Sequence, residues 1–187
     1  MLEDCRVPHI QPPSKYAWPA VLGKILNVTV HNLSYPGSSN KQILFKILNT
    51  KFLKNSLVII HWSYFNRYCI LPSDITRTVQ IGTWLPKTDD VNKFFYKKFY
   101  NENDMILDSI FRMNYAKQHL DNLSLLNLHL NMDDIKTFPD WNSVKFLDLS
   151  IQRVRNLYPR ATDKKHPGAK AHTELAKLLY KHIKSLN

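Results

Sequence analysis

The chain has 187 residues, 44% of them hydrophobic and 12% aromatic, and its 26 Lys and Arg outnumber 15 Asp and Glu for a formal charge of +11. That length suits a single domain with a substantial core, and the composition excludes an intrinsically disordered chain. Cys5 and Cys69 are too few for a disulfide framework or a cysteine-built zinc site. No apolar run approaches the roughly 20 residues of a membrane span, and the N-terminus lacks the apolar core of a secretory signal. No membrane partner and a reducing, cytoplasmic location are therefore expected.

In chain order, the proline-rich stretch up to Lys15 reads as loop. "WPAVLGKIL" places Trp18, Val21, Leu22, Ile25 and Leu26 at helical spacing, with Pro19 in the first turn. "VTVHNL" reads as a short β-branched strand closed by the turn residues of "SYPGSSN". Asn40 is placed to cap a helix carrying Ile43, Leu44, Ile47 and Leu48. "SLVIIHW" is apolar with little alternation, as in a strand buried on both faces. "TVQIGTW" fits a strand or an irregular segment. A helix is predicted from about Asn103 to Leu120, with Ile106, Ile110 and Met113 on one face and Leu107, Phe111 and Tyr115 beside it. "LSLLNLHL" has β character and "VKFLDLS" is ambiguous. A last helix runs from Pro167, burying Ala171, Leu175, Leu178, Leu179 and Ile183. Strands alternating with helices predict an α/β fold with a mostly parallel sheet covered on both faces. Ligands in such sheets sit beyond the carboxyl ends of the strands. Three polar turns are candidates for that position: "SYPGSSN", "SYFNRY" and "TDKKHPG".

Charge is uneven. From Arg153 to Lys184 nine Lys and Arg face only Asp163 and Glu174. This basic C-terminal segment suits an anionic partner, although a solvated helix face gives the same pattern. No zinc knuckle, RNA-binding signature or phosphate-cradling glycine loop accompanies it. The carboxylates show no clustering of the kind a metal-dependent nuclease or phosphatase needs, and neither a metal nor a cofactor is expected.

"DKKHPG" carries the clearest chemistry. Asp163, three residues before His166, can turn back and accept the proton on Nδ1. That fixes the tautomer and leaves Nε2 to take a proton from a nucleophile. An ordinary Asp and His at a helix start would look the same. His172 lies six residues further on, a poor spacing for chelation on one helical face, and it reads as structural. Arg67 suits an anionic substrate or a carboxylate neighbour equally. Cys5, and Ser14, Ser34, Ser38 and Ser39, are not favoured as nucleophiles.

The "DxxHP" block before a C-terminal helix resembles the last conserved block of the SGNH, or GDSL-like, hydrolases. "NLSYPGSSN" resembles the family's turn that donates a glycine N–H to the oxyanion hole. "VIIHWSYFNR" is similar to the block that ends in an oxyanion-donating asparagine, without its usual glycine and aspartate. With "PSKYAWPAVL" these stretches are similar to bacteriophage-encoded members, which implies a host cytoplasm. The resemblance implies a three-layer α/β/α fold with a flavodoxin-like sheet and a serine esterase acting on an ester, with an acetylated carbohydrate as the default. It assigns His166 as base, Asp163 as its orienting acid, Gly37 and Asn66 as oxyanion donors, and Ser39, Asn40 and Arg67 to substrate contact. The "GDS" serine motif and the central strand before it are absent. The chain is therefore expected to be N-terminally incomplete and inactive or nearly so as it stands, with "VTVHNL" and "SLVIIHW" lacking the strand between them. The alternative is a non-catalytic binding module whose basic C-terminal face contacts a glycan, virion partner or nucleic acid.

Overall fold

The computed structural model describes residues 14–70, 79–83, 85, 89–133, 142–149, 151–164 and 166–186. Cys5, Trp84, Trp141 and Lys165 lie outside the described residues. The chain divides into two compact units, one containing Ser34–Phe146 and the other formed by Val7–Leu33 with Leu147–Asn187.

The first unit is mixed α/β. Helix α2 (Asn40–Leu48) leads into strand β1 (Leu57–Trp62), which pairs in parallel with β4 (Leu126–Asn131), from Leu57 opposite Leu126 to Trp62 opposite Asn131. A short antiparallel pair, β2 (Tyr68–Ile70) and β3 (Val79–Ile81), lies between them in sequence. Helices α3 (Asp90–Lys98) and α4 (Glu102–Asn122) follow. Parallel strands require a long crossover, and α4 supplies it. Its chain reverses at Ser124, which takes the left-handed conformation (φ 54°) and lets Leu125 N–H bond back to Leu120 O. The core is Ile47, Ile60, Trp62, Met113, Ala116, Leu120, Leu125 and Val144, joining β1 to α2 and α4. Ile110 and Met113 are buried as their spacing predicts, while Leu107 and Tyr115 face solvent. Continuous burial falls on β4, where Leu128 to Asn131 are all buried, and β1 buries most fully Ile60 and Trp62 on one face. Among the described residues of the ambiguous "VKFLDLS", Phe146 makes a single parallel bridge to His129.

The second unit packs α1 (Trp18–Leu26) against α6 (Ala169–Lys184), with the short α5 (Ile151–Arg155) also on α6. Ala171, Leu175, Ala176, Leu179 and Ile183 form the buried stripe of α6. Leu178, expected with them, is half-buried. "VTVHNL" forms no strand, and Val28, Val30 and Leu33 are exposed. Its β-branched residues favour extension, but a strand also needs a partner ladder, and among the described residues it has none. Val28 N–H instead bonds to Gly23 O. A Cβ on Gly23 would stand 2.5 Å from a Val30 methyl carbon, so this segment is pressed directly onto α1.

Candidate functional site

In the first unit the expected site residues cluster around two turns. Pro36 and Gly37 occupy the middle of the first, closed by Ser38 N–H to Tyr35 O at 3.3 Å. Gly37 has φ 73°, a value suited to the third position of a type II turn and costly for a residue with a Cβ. Its N–H has no hydrogen-bond partner among the described residues. Gln80 on β3 holds the turn from outside, its amide donating to Pro36 O at 2.9 Å.

Ser39, not Asn40, caps α2. Its hydroxyl accepts from Gln42 N–H at 3.3 Å and donates to the buried Cys69 thiol at 3.0 Å. Burial also pushes the Cys69 thiol pKa up, which keeps it protonated. Asn40 lies one position inside the helix and is 2% exposed. Its amide donates to Ser63 O (3.2 Å) and Ser109 Oγ (3.1 Å) and accepts from Ser63 N–H (2.8 Å). Ser39 and Asn40 are thus committed to internal bonds that hold the start of α2.

Ser63 opens the second turn, closed by Arg67 N–H to Tyr64 O at 3.2 Å. Asn66 sits at its apex, and its carbonyl accepts a hydrogen bond from the Tyr96 hydroxyl. Burial, then the neighbouring Tyr100, push the Tyr96 phenol up to about 12, so it remains a donor. Arg67 donates to Ser63 Oγ at 3.1 Å and lies 5.0 Å from the Tyr64 ring centre. Burial lowers its pKa, opposed by Tyr64 and the Asp133 carboxylate. Asp133 accepts from Phe65 N–H at 2.7 Å, and burial raises its pKa against that bond and the Arg67 charge. Arg67 therefore has a carboxylate in its surroundings. Asn131, 8% exposed at the end of β4, has neither amide atom partnered among the described residues.

In the second unit the expected acid and base do meet. A tight loop precedes α6: Ala161 N–H bonds to His166 O at 3.0 Å, and Arg160 bridges Pro167. Lys164 takes the left-handed conformation (φ 57°), bending the chain between the pair. Asp163 Oδ1 accepts from His166 N–H at 3.0 Å, and its other oxygen contacts His166 Nδ1. A carboxylate only accepts, so a proton sits on Nδ1, and Nε2 has no hydrogen-bond partner among the described residues. Both side chains are solvent-accessible, 76% for His166 and 44% for Asp163. An exposed pair of this kind adds little to stability, so what the loop secures is orientation. His172 is structural: its Nδ1 accepts from Trp18 N–H at 3.3 Å, at the start of α1, and burial lowers its pKa.

Sequence reasoning missed Gly168, which has an ordinary φ of −80° and a steric reason to be glycine. A Cβ there would lie 2.4 Å from Pro159 O, a backbone atom that cannot swing aside. Gly168→Ala is expected to destabilise the second unit by about 2 kcal/mol. It should also speed hydrogen exchange at the Ala161 amide, and an unchanged exchange rate would refute the steric role. Asp133, Tyr96 and Ser63 were missed because their partners are distant in sequence.

Among the described residues no group of three His, Cys, Asp or Glu side chains is arranged to hold a metal ion. No helix there is long and apolar enough to cross a membrane. No family model matches the chain, and no curated protein or solved structure matches it either.

Proposed function

We propose that this chain carries the acid–base half of an SGNH-like acyl hydrolase acting on an ester, with an acetylated carbohydrate as the default substrate. The observation supporting this reading is the Asp163–His166 pair, whose Nδ1 is held by the carboxylate while Nε2 is left to accept a proton. In this reading β1 and β4 belong to a mostly parallel, flavodoxin-like sheet in a three-layer α/β/α arrangement. A serine hydroxyl attacks the acyl carbon, and Nε2 takes its proton. The same proton then passes to the departing alcohol, and water releases the acyl group by the reverse use of the base. The 187 residues include no "GDS" motif to supply the serine.

The test is turnover of p-nitrophenyl acetate, by the chain as it stands and by a form extended with the coding sequence directly upstream of Met1. The extended form is expected to hydrolyse the ester, and His166→Ala to lower its kcat/KM by about a thousandfold. The unextended chain should be nearly inert. Serine-dependent activity that survives His166→Ala would remove the reading.

A second reading, a polyanion-binding module, is favoured by one feature of α6. Lys170, Lys177, Lys181 and Lys184 are all exposed, and their spacing places them along one helical face. Glu174 offsets only Lys177, at 3.8 Å. An inert extended form that binds heparin with a steep salt dependence would favour this alternative.

A further inference from the structure

We propose that α3 and the residues after it form a docking surface for an anionic lipid headgroup layer. The helix is fixed to the first unit by one face. Asp89 caps it, accepting from Asn92 N–H at 2.8 Å, and the Asn92 side chain accepts from Gly82 N–H at 2.8 Å. Phe95 stacks on Tyr68 with ring centres 5.0 Å apart, and Tyr96 packs beside Tyr100 at 5.1 Å. The opposite face presents Val91, Phe94 and Phe99, which are 52%, 57% and 64% exposed. Phe94 and Phe99 meet edge to face at 5.6 Å and 69°, making one apolar knob. Lys93, Lys97 and Lys98 surround it, are exposed, and have no ion-pair partner among the described residues.

Large apolar side chains held out in water by a well-anchored helix mark an interaction surface. Unpaired lysines around them select a partner that is negatively charged at its surface and apolar beneath it. A headgroup layer has both properties, and the chain's charge of +11 adds long-range attraction to an extended anionic plane. Single-stranded nucleic acid fits less well. Base stacking needs open ring faces in succession, and the tilted pair offers a wedge. Among the described residues the acidic groups nearby are Asp89 and Asp90 at the start of α3, Glu102 and Asp104 in the first turn of α4, and Asp133, whose charge reaches Tyr100. The expectation of no membrane partner rested on the lack of a spanning segment, which does not bear on surface contact.

The test is co-sedimentation of the full chain with vesicles of phosphatidylcholine alone and of phosphatidylcholine with phosphatidylserine. Binding is expected only to the mixed vesicles and should weaken with salt. Phe94→Ala with Phe99→Ala, and separately Lys97→Glu with Lys98→Glu, should each lower the partition coefficient about tenfold or more. Both substitution pairs are on exposed positions, and an unchanged urea midpoint verifies that each variant remains folded. Lys51→Glu with Lys54→Glu, both exposed and outside α3 and α6, serves as a control for overall charge and should lower it far less. The proposal is overturned by absence of vesicle binding, by a control loss equal to that of the patch variants, or by patch variants that bind as well as the parent. It is equally overturned if the patch variants lose oligo-dT binding or self-association while vesicle binding stays intact.

Discussion

Acidifying the protein from neutral pH to about pH 4 is expected to cost the first unit roughly 3 kcal/mol through His129 alone. His129 is 3% exposed, and its ring lies within 6 Å of the Trp62 ring, centre to centre at 5.9 Å. Trp62 Nε1–H donates to His129 Nδ1 at 2.9 Å. An indole N–H only donates, so Nδ1 must be bare and the imidazole proton sits on Nε2. From there it reaches Asn127 Oδ1 at 3.0 Å, and Asn127 donates in turn to Asp121, which also holds Lys117. A second proton would set N–H against N–H inside the core. Desolvation, with the Lys117 charge as a lesser cause, accordingly lowers the His129 pKa from 6.5 to about 4. Above pH 6.5 neither the folded nor the unfolded chain binds this proton, and the group adds no pH dependence. As pH falls from 6.5 the unfolded chain binds it and the folded chain does not, so stability drops until about pH 4 and then levels off. His172 and Asp121, both lowered, act in the same direction, and Asp133, raised by burial, acts oppositely. His129→Gln isolates this contribution: it retains an acceptor for the indole and removes the titration. Urea midpoints in the range between those two pH values should fall for the parent and change much less for the variant. Parallel curves for the two proteins would show that His129 is not the group responsible.

The same pair of residues illustrates what the sequence could not convey. "SLVIIHW" and "LSLLNLHL" were readable as strands because their apolar runs are local features, and both strands form. That Trp62 and His129 would bond follows from the parallel register, which no local pattern encodes. Helices α1, α4 and α6 were legible from their periodicity, whereas α3 was not. Its "DVNKFFYKK" exposes Val91 and Phe94 and buries Asn92, so its apolar positions do not mark the core face. The strand β2 has three residues, too few for a period. The cap of α2 was displaced by one position because "SSN" offers consecutive residues that all cap well, and only the interior partners of Asn40 decide which of them does. The Asp163–His166 pair was readable because its geometry spans three residues. Arg67 and Asp133 are brought together by the ends of two strands and carried no such signal.

A large single-residue effect in the first unit is also expected at Asn40. Asn40 follows the Pro36–Gly37 turn directly, and its amide holds both the N–H and the C=O of Ser63, where the Asn66 turn begins. It is therefore the clamp that ties the start of α2 to the second turn. Asn40→Leu keeps the branched heavy-atom framework and removes every polar atom. Ser63, itself 5% exposed, is then left with an orphaned donor and acceptor, each worth about 1–3 kcal/mol. A loss of roughly 3 kcal/mol in unfolding free energy is expected after the gain from burying an apolar side chain is set against it. Asn40→Asp should fare little better, since a carboxylate can accept from Ser63 N–H but turns a second acceptor toward Ser63 O. Ser109→Ala should cost about 1 kcal/mol in the parent and close to nothing once Asn40 is Leu, because its bond to Asn40 is already gone. Urea titrations of the four proteins in that cycle provide the check. If Asn40→Leu unfolds at the parent's midpoint, or the Ser109 substitution costs the same in both backgrounds, the clamp is not what holds α2 to that turn.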